Sequence, residues 1–317
     1  MQEGAIAHRA RQSSAQEREY RREVALSADY EGETLTLHVT GRADGIFLRE
    51  DGMTVIEEIK LGAPDQPLLP AHRAQAAVYG HMLLEDGAMD RVCLRVLYVD
   101  ARGGTQAMYE EEQDRESLRA AFEALCAAAC AWEEKKLARR QARDGTLASL
   151  PFPFGAYRTG QRKFAANVYL ALRERKRLFA QAPTGIGKTM AALYPALRAI
   201  GEGKCGRAVF LAARTTGRRS AMDAMDLLTS AGAQTLTAEI TAKDKICPKE
   251  ARDCRPEHCA FAAGFYDRLP GALAEALTLA RLGREEIAAL AQRHQVCPFE
   301  LSLEIAMLAD VVVCDYN

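Results

Sequence analysis

The stretch from Arg177 to Ile200, RLFAQAPTGIGKTMAALYPALRAI, decides how this chain is read. Its short apolar run, Leu178, Phe179 and Ala180, is expected to be a buried strand. The run breaks at Pro183, Gly185 and Gly187, and helical periodicity takes over from Thr189. Strand, Gly-rich loop and helix in that order are the setting of a phosphate-binding loop. Glycines let backbone N–H groups turn inward around a phosphate, and the helix N-terminus adds partial positive charge. Lys188 is expected to reach the β- and γ-phosphates of ATP, and the Thr189 hydroxyl to hold Mg²⁺. Ala182, Thr184, Gly185 and Gly187 would complete the cradle. Ala182 stands where the general pattern has glycine.

The 317 residues suffice for two domains. A composition 48% hydrophobic and 27% charged is that of an ordinary globular protein. With a net charge of −1, any nucleic-acid surface must be a local patch. No apolar run reaches membrane-helix length, and MQEGAIAHRARQ has no signal-peptide core. The expectation is a cytoplasmic chain with reduced thiols and no membrane partner.

Working toward the N-terminus, residues 1–20 read as a charged helix that includes His8. Alternation begins at Thr34 in TLTLHVTGRADGIFLRE and resumes in MTVIEEIK after Asp51-Gly52, which predicts a hairpin. A helix over 72–84, strands RVCLRVLYVD and TQAMYEE, and a long amphipathic helix from about 114 to 143 follow. Asp44 interrupts an apolar strand. Glu58 and Lys60, two apart, project from one face, whereas Glu57 points to the other. A carboxylate pair beside a lysine suits a hydrolytic metal site. The carboxylates bind Mg²⁺ or Mn²⁺, and the lysine orients or activates water.

Gly41-Arg-Ala-Asp44, Glu58-Ile-Lys60 and Gln75-x-x-x-Tyr79 together resemble the PD-(D/E)xK nuclease core of RecB type. The resemblance implies that His8 supplies a further metal ligand. It also implies that Gln75 and Tyr79 position DNA. The domain so defined covers 1–112, followed by a helical linker over 113–150.

The segment SLPFPFGAYRTGQRKF marks a boundary near residue 150, and a second domain spans 151–317. Strands at RAVFLAAR, at about 234–240 and in ADVVVCDYN alternate with helices, so a parallel α/β sheet is expected. Between them Cys247, Cys254, Cys259 and Cys297 are spaced C-x6-C-x4-C-x37-C. Four thiolates suit iron–sulfur or zinc, and the wide spacing favours a cluster. Cys93, Cys126, Cys130, Cys205 and Cys314 lie on apolar faces and read as buried small hydrophobes.

ICPKEARDCRPEHC followed by VCPFE resembles the 4Fe–4S insertion of the XPD/DinG helicases, here over about 243–300. The resemblance implies an α/β architecture in which a nuclease-like domain precedes the start of a RecA-like motor. The motor would be ATP-dependent and run 5′ to 3′ on single-stranded DNA, in DNA repair or recombination. Gln161 resembles the adenine-contacting glutamine of superfamily 2, with a polar linker as its other reading. Arg214, Thr215 and Thr216 are candidates for the DNA backbone, and Lys249, Arg252 and Arg255 for phosphate contact near the cysteines. No D-E-x-H box follows the phosphate loop, so the expectation is a fragment that binds ATP weakly and does not unwind DNA. Two further classes stay open. One is a non-catalytic DNA-binding module, and the other an ATPase acting elsewhere with structural zinc on the cysteines.

Overall fold

The computed structural model describes residues 2–85, 87–250 and 252–316. The chain divides into two compact units, Met1–Leu137 and Ala138–Asn317. In the first, α1 (Gln2–Ser14) leads to β1 (Arg18–Glu31), β2 (Thr36–Leu48), β3 (Thr54–Leu61), α2 (Pro70–Leu84), β4 (Arg91–Val99), β5 (Thr105–Asp114) and α3 (Arg115–Ala148), whose residues from Ala138 on belong to the second unit. The sheet runs β1-β2-β3-β4-β5, antiparallel except between β3 and β4. A parallel pair needs a crossover, and α2 supplies it. The expected hairpin is β2–β3, in register Gly45↔Glu57 and Ile46↔Ile56. Its turn needs Gly52, whose φ is 88°.

The N-terminal helix stops at Ser14, and the sequence reading missed β1 entirely. REYRREVALSADYE carries enough charge to pass for a helix. Yet Val24, Leu26, Ala28 and Tyr30 alternate inward and face the core built by Ile46, Ile56, Leu94, Tyr98 and Leu118. The pairing Val24↔Ala43, Leu26↔Gly41 and Ala28↔Val39 ties β1 to β2. Tertiary pairing overrides local propensity there.

The second unit continues with α4 (Gln161–Arg173), α5 (Lys188–Gly201), β6 (Ala208–Ala212), α6 (Thr215–Ser230), β7 (Thr237–Glu239) and α7 (Lys243–Ile246). It ends with α8 (Phe265–Ala276), β8 (Arg281–Leu282), α9 (Arg284–His294), α10 (Pro298–Leu308) and β9 (Val311–Asp315). Its sheet, β6-β9-β7-β8, is parallel throughout, as the alternation of strands and helices predicts. Val311 and Val313 of β9 pack with Met190, Leu193, Leu197, Met222 and Met225 from α5 and α6.

One strand expected from the sequence is not formed. Residues 177–183 belong to no helix or ladder, and Phe179 is 94% exposed. An apolar run becomes a strand only where a neighbouring edge takes its N–H and C=O groups, and none of the four paired strands does so. Cys205 and Cys314 are half-buried rather than buried. No helix among the described residues is long and apolar enough to cross a membrane.

Candidate functional site

The first unit gathers the residues of the nuclease-like motifs into one array. Asp44 lies near the end of β2, and its Oδ2 accepts the Ile59 N–H at 2.7 Å. Its Oδ1 stands 3.3 Å from His8 Nδ1 on α1. That contact holds the His8 imidazolium above its usual range, opposed by burial. Glu58, on β3, is 2% exposed, and Lys60 Nζ lies 2.6 Å from its Oε1. Lys60 also donates to Gln75 Oε1 at 3.0 Å, and Gln75 Nε2 donates to the Tyr79 hydroxyl at 3.2 Å. Gly41 permits this packing, because a Cβ there would meet Tyr79 Cε1 at 2.4 Å.

Glu58 Oε2 is buried without a hydrogen-bond partner. Burial first, and the Asp44 charge second, push the Glu58 carboxyl up to about 7, against the pull of Lys60 and His8. Glu58, Asp44 and His8 have the donor chemistry of a Mg²⁺ or Mn²⁺ site, but in this structure the three side chains do not converge closely enough to share one ion.

Glu57 occupies a different environment. It is 0% exposed and takes hydrogen bonds from Arg11 Nη2 at 2.8 Å, the Tyr20 hydroxyl at 2.8 Å and Arg95 Nη1 at 3.3 Å. Arg11 lies one turn beyond His8 on α1. Beside it Gln12 donates to the Asp44 carbonyl at 2.9 Å. These contacts fasten the helix that carries His8. No sequence motif marks Arg11 or Tyr20 as partners of Glu57. The available signal was Arg95, a lone charge in the apolar strand VCLRVLYV.

In the second unit α5 opens at Lys188, with Gly185 and Gly187 at φ 88° and 79°. Lys188 Nζ donates to the carbonyls of Ala182 (3.0 Å) and Pro183 (2.8 Å), a position from which it can exchange carbonyls for phosphate. Thr189 Oγ1 lies 3.2 Å from Ser220 Oγ on α6. Gln161 is 2% exposed; it takes the Arg158 N–H on Oε1 at 3.0 Å and donates to the Gly187 carbonyl at 3.3 Å. Arg158 Nη1 donates to the Gly185 carbonyl at 2.6 Å. Gln161 is therefore no linker residue: it braces the loop.

Cys247, Cys254, Cys259 and Cys297 line one cavity of 260 Å³, together with Lys243, Phe261, Phe265 and Tyr266. Cys247 ends α7, and Cys297 precedes α10. Among the described residues no three His, Cys, Asp or Glu side chains converge closely enough to share one metal ion. The four thiols border a space instead. Arg255 is engaged by Asp253 at 2.9 Å, and Lys249 donates to the His258 carbonyl at 2.5 Å. Arg255 and His258 hold the Asp253 carboxyl well below its usual range.

Residues 158–246 match the family model described as DEAD/DEAH box helicase, and residues 232–317 match the one described as DEAD_2. The two helicase family matches together span residues 158–317. A solved structure described as XPD helicase is 17% identical, with a TM-score of 0.35, over 51% of this chain and 28% of that one. The crystal structure of SSO0001 is 21% identical, with a TM-score of 0.28, over 38% of this chain and 56% of that one. No curated protein matches.

Proposed function

We propose that the chain joins a metal-dependent, RecB-type nuclease domain to an ATP-dependent DNA helicase motor of the XPD/DinG kind, acting on single-stranded DNA or single-stranded ends. The nuclease domain covers 1–112, with 113–150 as a helical linker and the motor segment over 151–317. The observation that carries the nuclease half is the joined array of His8–Asp44 and Glu58–Lys60–Gln75–Tyr79, with the Glu58 Oε2 atom left orphaned. The motor half rests on the DEAD/DEAH box helicase match, which contains Lys188 and Thr189, and on the DEAD_2 match that follows it.

His8, Asp44 and Glu58 do not converge on one point as they stand, and would have to draw together to hold Mg²⁺ or Mn²⁺. The ion supplies charge stabilisation at a phosphodiester and a more acidic bound water. Lys60 keeps a positive donor beside Glu58 and is itself aimed by Gln75. Gln75 and Tyr79 present amide and hydroxyl groups to the strand. At the other site, Lys188 would leave its carbonyls for the ATP phosphates, while Gln161 and Arg158 keep the loop in shape.

Labelled single-stranded DNA is expected to be cut in Mg²⁺ or Mn²⁺ by the wild-type protein, and left intact by the Asp44→Ala, Lys60→Ala double variant. Equal cutting by both proteins, or none by either, rejects the nuclease assignment.

The four thiols line one cavity of 260 Å³, which is where a 4Fe–4S cluster would sit. A 4Fe–4S cluster there predicts brown, anaerobically purified protein absorbing near roughly 400 nm, and loss of that band in a Cys254→Ser, Cys259→Ser variant. Colourless protein carrying zinc would reject the cluster.

A further inference from the structure

The helix that presents Gln75 and Tyr79 carries one more polar side chain on the same stripe. His72, Gln75 and Tyr79 stand at i, i+3 and i+7 on α2, which places them along one face. Gln75 meets Lys60 on β3, and His72 meets Tyr98 on the neighbouring β4. Gln75 reaches Lys60, and the Lys60 charge is felt at His72.

The His72 ring is fixed from the core side. Its Nδ1 lies 2.9 Å from the hydroxyl of Tyr98, a fully buried residue that sits opposite Lys60 in the β3–β4 ladder. The same hydroxyl accepts the Leu69 N–H at 3.1 Å. A phenol that already accepts a backbone amide has its own proton left to give, and the nearby acceptor is His72 Nδ1. That assignment puts the proton of neutral His72 on Nε2, the nitrogen away from Tyr98. Burial, followed by the Lys60 charge, lowers the imidazole below its usual range and keeps the ring neutral at pH 7. His72 itself is half-buried, so part of the residue is open to solvent and to a ligand.

We infer that His72 is a third DNA contact on this helix, its Nε2–H donating to a phosphate oxygen of the strand that Gln75 and Tyr79 position. The inference rests on the nuclease reading of the site. Lys60 and His72 then supply two donors, one charged and one neutral, on the same side of the strand. Tyr98 acts through His72: it is a positioning residue that fixes the tautomer and the ring.

The test measures binding of a fluorescent single-stranded oligonucleotide in Ca²⁺, together with KM and kcat for its cleavage in Mg²⁺. The proteins compared are wild type, His72→Ala, His72→Gln and Tyr98→Phe. A hydrogen bond to a charged phosphate is worth about tenfold in affinity. His72→Ala is expected to weaken binding and raise KM by about that factor, with the loss falling on KM rather than kcat. His72→Gln, which keeps a donor, should recover part of it. Tyr98→Phe should show a smaller loss in the same direction. Unchanged binding and KM in His72→Ala overturns the inference, as does a fall in kcat alone. Wild-type protein that neither binds nor cuts DNA discards the nuclease reading and this inference together, before any variant is compared.

Discussion

Replacing Glu57 with alanine is expected to destabilise the N-terminal unit by about 3 kcal/mol, the usual scale for breaking a buried ion pair from one side. The carboxylate is 0% exposed and receives Arg11, Tyr20 and Arg95. Without it, the Tyr20 hydroxyl loses its acceptor inside the fold. Arg11 keeps only Glu17, and Arg95 keeps Glu110 and Glu17. Removing one partner costs more than the net worth of the pair, because the remaining charges have already been taken out of water. Trp132 reports the loss directly. It is the single tryptophan of the chain and belongs to the first unit. Urea unfolding followed by its fluorescence should shift to lower midpoint in Glu57→Ala. Glu57→Gln should fall between, since its oxygen still accepts while its amide confronts two guanidinium groups. A shift of under about 1 kcal/mol would mean that α1 is held mainly by packing of Ala7 against Ile59, Leu97 and Val99.

The contrast between Glu57 and Glu58 shows what the sequence could and could not disclose. Alternation along VIEEIK separates the two carboxylates by face, and the structure agrees. It says nothing of partners, which arrive from α1, β1 and β4, 37 to 46 residues away. E-x-K falls on a strand, Q-x-x-x-Y on a helix and G-K-T at a helix start, the elements the sequence pattern called for. β1 was not legible, because its inward face is interleaved with Arg and Glu, and only pairing with β2 makes it a strand. The run at Leu178–Ala180 failed in the opposite sense. Its composition is that of a strand, but a strand is a pairwise structure, and no edge among the described residues receives it. The four cysteines were found by spacing alone. Their shared cavity depends on α7 and α10, elements whose packing around Leu236, Ile246, Leu301 and Ile305 no local pattern specifies.

The adjacent substitution, Glu58→Gln, should act in the other direction on stability while removing activity. Burial and Asp44 raise the Glu58 carboxyl from 4.5 to about 7, so between those values the folded protein holds a proton that the unfolded chain releases. Stability from this proton is fully present below pH 4.5 and is lost as pH rises through 7. The loss is on the order of 3 kcal/mol for a shift of that size. Without divalent cations, wild-type protein should therefore unfold more easily at pH 8 than at pH 5, and Glu58→Gln should flatten that difference. Mg²⁺ or Mn²⁺ should restore wild-type stability at pH 8, because the cation takes the place of the proton on the orphaned oxygen. It should leave Glu58→Gln unchanged, since an amide oxygen is a weaker ligand and carries no charge. Metal-dependent cleavage should fall at least about 100-fold in the variant, given that even residues behind a metal ligand are worth 10–100-fold. The measurement is Trp132-detected melting at pH 5 and pH 8, in chelator and in Mg²⁺, beside the cleavage assay. If cation stabilises both proteins equally at pH 8, Glu58 is not a ligand. Its orphaned oxygen would then be a strained structural feature, and Asp44 with His8 would have to hold the ion without it.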